Sequence, residues 1–249
     1  MSAGALERLL RRDRLVAAAA LGTVCFASWA CVVAMALHGM RSPLHWSAGA
    51  AVGMFFMWAM MMVAMMLPAA APTMLLYARV LRRNFGAAHP GTRLTCFAAG
   101  YIAIWSAFSL VAVALQFALE SAGWMSRDMI FTDAALSGTV LLGAALYQLT
   151  PAKRACLAHC RSPVMFLSRR WRDGALGALA MGLIHGVYCL GCCWLLMALL
   201  FAGGVMNLVA VAALTLLVLV EKVAPAGERI SRLAAAPLGA FALWMLFAA

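Results

Sequence analysis

The sequence predicts an all-α, polytopic transmembrane helix bundle of about seven spans with a cytoplasmic N-terminus. Three observations predict it. The chain is 66% hydrophobic and only 11% charged, where a soluble domain carries roughly a quarter charged residues. Its apolar runs repeatedly reach about 20 residues, the length at which a helix crosses a bilayer. Its basic residues fall in alternate loops, the pattern expected when Lys and Arg are retained on the cytoplasmic side.

The apolar runs place spans at residues 15–37, 48–76, 94–119, 131–149, 175–202, 205–220 and 233–248. All but Arg41 and Arg127 of the 19 Lys and Arg residues then lie on one side of the membrane. A formal charge of +11 is therefore a topology signal, and nucleic acid is not an expected partner. Residues 1–14 read as a basic cytoplasmic tail carrying Arg8, Arg11, Arg12 and Arg14. Residues 15–249 read as a single transmembrane domain. The first span is longer than the apolar run of a cleaved signal peptide, so it is expected to remain as an anchor. Trp46 and Trp124 at the outer boundary and Trp171 at the inner one suit interfacial belts.

The second span ends in Leu67-Pro-Ala-Ala-Ala-Pro-Thr73. Its prolines lack backbone donors and free carbonyls that neighbouring helices must satisfy. After the fourth span, Thr150-Pro151 reads as an N-cap and first-turn proline. They start a short interfacial cytoplasmic helix near 151–161, which ends before Pro163. In the fifth span Ala178, Gly182 and Gly186 recur every fourth residue, a spacing that lets helix backbones approach closely in lipid. The seventh span is short and is expected to cross with local thinning or as a partial span.

The chemistry concentrates in the fifth span. On a helix turning about 100° per residue, His185, Cys189, Cys192 and Cys193 fall within an arc of roughly 100° and share a face. A free cysteine also serves as a small apolar residue. A mid-membrane histidine is costly and by default marks function, and four such residues on one face point to a ligand or redox site. Cys156, His159 and Cys160 form a second group at i, i+3 and i+4 on the interfacial helix. There the cytoplasm keeps thiols reduced, and Arg154 and Arg161 are expected to favour thiolate. The second span adds Met57, Met61 and Met65, four residues apart along one face. Methionines fill gaps in cores, and their thioethers also select soft ions such as Cu(I). Counted inward from the outer boundary, these methionines and Cys189–Cys193 occupy about the same depth. Glu221 stands beside Lys222 at an inner boundary, where the two are expected to pair. No catalytic constellation is recognisable: the chain lacks a GxGxxG, a Walker motif, a Ser-His-Asp ordering and a dense carboxylate set.

Four ordered stretches together resemble a bacterial family of predicted metal-binding integral membrane proteins, a domain of unknown function. They are Met65-Met-Leu-Pro-Ala-Ala-Ala-Pro72, Tyr147-Gln-Leu-Thr-Pro-Ala-Lys-Arg-Ala-Cys-Leu-Ala-His-Cys-Arg-Ser-Pro163, His185-Gly-Val-Tyr-Cys-Leu-Gly-Cys-Cys-Trp194 and Glu221-Lys-Val-Ala-Pro-Ala-Gly-Glu-Arg229. The resemblance covers roughly residues 50–240. It implies a membrane location and metal binding, and supplies no reaction.

The expected function is binding, transport or delivery of a soft transition metal in the bacterial inner membrane. Copper as Cu(I) is favoured by the methionines, with zinc the alternative for a Cys/His set. The expected partners are the bilayer, the metal ion and a membrane or periplasmic metalloprotein. One alternative is a thiol–disulfide conduit through Cys189-Leu-Gly-Cys192, whose apolar surroundings disfavour thiolate. Another is an accessory subunit of a membrane metalloenzyme or of its assembly machinery.

Overall fold

The computed structural model of the chain describes residues 3–85 and 90–247. The side chains of the basic tail, Arg8, Arg11, Arg12 and Arg14, lie outside the described residues, as does that of Arg83. The described residues form α1 (Ala3–Leu37), α2 (Ala48–Phe85), α3 (Pro90–Ser121), α4 (Ala134–Gln148) and α5 (Pro151–Arg161). They continue through α6 (Pro163–Arg170), α7 (Gly174–Ala198), α8 (Leu200–Gly203), α9 (Leu208–Val223) and α10 (Gly227–Phe247). The chain is thus all-helical; the β feature among the described residues is one isolated bridge, Met125 with Phe131.

Five stretches are long and apolar enough to cross a membrane: Leu15–Leu37, Ala48–Arg82, Pro90–Ser121, Gly174–Gly203 and Gly227–Phe247. Two of the seven expected spans are carried by shorter helices. α4 has 15 residues and α9 has 16, so at 1.5 Å per residue they reach roughly 22–24 Å. That falls short of a hydrocarbon core about 30 Å thick. The last helix is corrected in the opposite sense: α10 begins at Gly227, six residues before the expected start, and has full spanning length.

α2 and α7 form the centre and α1 and α10 the flanks: half of each central apolar window is buried, against 17% of the flanking ones. α2 stays helical through Pro68 and Pro72. Pro68 cannot donate to the carbonyl of Ala64, four residues back. The indole Nε1 of Trp29, on α1, donates to that carbonyl at 2.9 Å, so a neighbouring helix replaces the missing donor.

The stripe Ala178, Gly182 and Gly186 of α7 lies against α3. A Cβ on Gly182 would run into the carbonyl oxygen of Phe97, and one on Gly186 would come within 2.9 Å of Ile104. Gly100 of α3 is equally closed by the backbone of Leu179. Only glycine permits that approach.

α5 forms as its sequence predicts, with the Thr150 hydroxyl accepting from the backbone N–H of Lys153 at 3.2 Å. After Ser162 the chain starts a second short helix, α6, rather than a loop. Its Phe166 and Leu167 are buried, and they carry the segment back against the bundle beneath α7.

Candidate functional site

α7 turns one face into the bundle. His185, Cys189, Cys192 and Cys193 are each no more than 2% exposed, in the middle of the Gly174–Gly203 stretch. Close packing of α3 on α7 sets Tyr101 beside this face. Its hydroxyl donates to the carbonyl of Met66 at 2.9 Å and lies 3.0 Å from Cys189 Sγ. From α9, Lys222 Nζ donates to Cys189 Sγ at 2.8 Å and lies 3.9 Å from Cys193 Sγ. From α2, the Met66 thioether lies 3.9 Å from Cys193 Sγ. Four helices therefore meet at two sulfurs.

The thiols of Cys192 and Cys193 are turned onto the backbone carbonyl of Cys189, at 3.1 and 2.9 Å. A thiol one turn along a helix donates readily to such a carbonyl. Among the described residues no three His, Cys, Asp or Glu side chains converge in a ready metal-holding group. The lysine ammonium and a thioether, rather than a third carboxylate or imidazole, complete the surroundings of Cys189 and Cys193.

His185 stands one turn before Cys189. Phe97, Tyr101 and Phe166 ring it, with centroids at 6.1, 5.7 and 5.2 Å. Its Nδ1 is buried without a hydrogen-bond partner. A buried unpaired ring nitrogen is costly, and it is the one nitrogen donor on this face.

The three residues picked out on α5 are dispersed. Cys160 is buried, and interaction with Cys189 and Cys192, then burial, holds its thiol well above the ordinary range. Cys156 packs near Gly191 on another flank of α7; burial, then the neighbouring Cys192, raise its thiol as well. The expectation that Arg154 and Arg161 favour thiolate there is corrected. Arg161 is engaged with the carbonyls of Glu221, Ala224 and Pro225 at and just beyond the end of α9. His159 is exposed, stacks on Tyr188 at a centroid distance of 4.1 Å, and uses Nδ1 on the carbonyl of Ala155.

Met57, Met61 and Met65 are buried to within 1%, and Met66 brings its thioether to 3.9 Å from Cys193 Sγ. Tyr101 and Met66 were not singled out by sequence, and Lys222 was expected to pair with Glu221, which it does not. For Lys222 a signal existed. Neighbouring residues on a helix point about 100° apart, so Glu221 and Lys222 face different surroundings. Glu221 is paired with Lys153 at 2.8 Å and accepts from Gln148 at 2.9 Å. Lys222 is left to face the thiols.

Comparison with known proteins places these residues inside the range of one family model. A family model described as PpoB2, copper chaperone, matches residues 55–245, which is more than half of the chain and includes every residue of the site. No curated protein and no solved structure matches.

Proposed function

We propose that this chain, which belongs to the PpoB2 copper-chaperone family, is a bacterial inner-membrane protein that holds Cu(I) in mid-membrane and hands it to a membrane or periplasmic metalloprotein. The observation that carries the reading is that Cys189 and Cys193 are buried around one ammonium, with the Met66 thioether 3.9 Å from Cys193 Sγ. Thiolates suit Cu(I) and zinc alike, and the soft thioether beside them favours Cu(I). A low-coordinate monovalent ion needs only the two thiolates, with a thioether or the unpaired His185 nitrogen as a third donor.

Transfer uses the same chemistry stepwise. Each sulfur bond to Cu(I) is exchanged for another, so the ion is never released into hydrocarbon. This reading assigns Cys160 of α5, which is buried and interacts electrostatically with Cys192, as the exchange ligand on the inner side. Thiols that bind the ion give their protons to water, so affinity weakens as pH falls.

In this reading the N-terminus is cytoplasmic, residues 1–14 form a basic tail and residues 15–249 one transmembrane domain. The two short helices α4 and α9 cross with local thinning, packed against α10 and α2, to give seven passes. The functional test is metal analysis of protein purified from copper-supplemented cells. Near-stoichiometric copper in the natural protein and loss of it in a Cys189→Ser/Cys192→Ser/Cys193→Ser variant are expected. Equal copper in both would remove these thiols from the function.

A further inference from the structure

Lys222 is out of place for a residue of a helix end facing lipid and lipid headgroups. It is 7% exposed, it has no carboxylate partner among the described residues because Glu221 is taken by Lys153, and its ammonium is directed at Cys189 and Cys193. A charge held away from water is tolerated only with compensation. Nothing within its contacts supplies negative charge except the sulfurs.

We propose that Lys222 is the site's built-in counter-cation, and that it sets the charge of the ion the two thiols accept. The inference rests on the reading that Cys189 and Cys193 hold Cu(I). When the ion binds, whichever of the two sulfurs still carries a proton gives it to water and two sulfur–copper bonds form, with no change of oxidation state. The two thiolates and one monovalent ion would leave a net negative charge in hydrocarbon, and the Lys222 ammonium cancels it. A divalent ion on the same pair would leave a net positive charge instead. Without the ammonium the rule inverts: the thiolate pair is neutral with a divalent ion and negative with a monovalent one. Lys222 thus favours a soft monovalent cargo over zinc-like ions without touching it.

The test is the ratio of Cu(I) to Cd(II) affinity, each measured by anaerobic chelator competition on the full chain in detergent. It is read in the natural protein and in Lys222→Leu and Lys222→Gln, the first adding no metal-binding atom and the second keeping a hydrogen-bond donor without the charge. Removing one partner of a buried charge pair is strongly unfavourable, and in affinity terms the ratio should fall by about a hundredfold. A fold defect lowers both affinities and does not by itself move the ratio in this direction. A ratio unchanged or raised in both variants overturns the proposal, and would mean that the ammonium yields its place to the ion. If the natural protein shows no thiol-dependent Cu(I) binding, the function reading fails and the inference falls with it. Intact thiol-dependent binding with an unmoved ratio sinks the inference alone.

Discussion

Lys153 and Glu221 place two opposite charges in the interior at 2.8 Å, each side chain about 1% exposed. Gln148 bonds both partners and Ser231 donates to Gln148 at 3.0 Å, so residues of α4, α5, α9 and α10 share one polar knot. Removing one member of such a pair strands the other as an uncompensated buried charge. Lys153→Met should therefore cost roughly 3–5 kcal/mol, seen as a lowered unfolding temperature in detergent. Lys153→Met/Glu221→Leu should recover much of it. A double variant no better than the single one would show that the pair acts independently. The sequence did not disclose this knot, because its charged members are 68 residues apart. Lys153 counted there as one more loop cation, and only the fold shows it buried.

At the scale of elements, what could be read was whatever a local pattern encodes. The capping of α5 by Thr150 and Pro151 is a local pattern, and so is the shared face of His185 and the three cysteines. The glycine stripe of α7 was legible as a close contact, although not which helix it would meet. α2 defeated the same method. It is apolar nearly all round, so periodicity cannot choose its inward face. Met57, Met61 and Met65 are buried as expected, and yet Met66, one position around the helix, reaches Cys193. α6 was missed because Pro163 reads equally as the end of one helix and the first turn of the next.

For the whole molecule, hydropathy disclosed a membrane protein and the positions of its apolar segments, but not how far α4 and α9 extend across the bilayer. Their length is set by what they pack on rather than by lipid alone. The proposed topology makes a direct prediction. Introduced cysteines at the exposed positions Ser47 and Ser168 should respond oppositely to a membrane-impermeant thiol reagent on spheroplasts. Ser47→Cys should label and Ser168→Cys should be protected until the membrane is opened. Labelling of Ser168→Cys in sealed cells would reverse the orientation and place α5 and α6 outside.

The central claim is that two thiols in mid-membrane, Cys189 and Cys193, hold Cu(I). Anaerobic titration of a Cu(I) chelator against purified protein, at several pH values, tests it most directly. The natural protein should compete for Cu(I), less strongly as pH falls, because protons and copper contend for the same sulfurs. Cys189→Ser/Cys193→Ser should lose tight binding, since a hydroxyl is a poor soft-metal ligand, whereas Met66→Leu should weaken it only in part. Equal Cu(I) affinity in the natural protein and the double serine variant, flat with pH, would contradict the account.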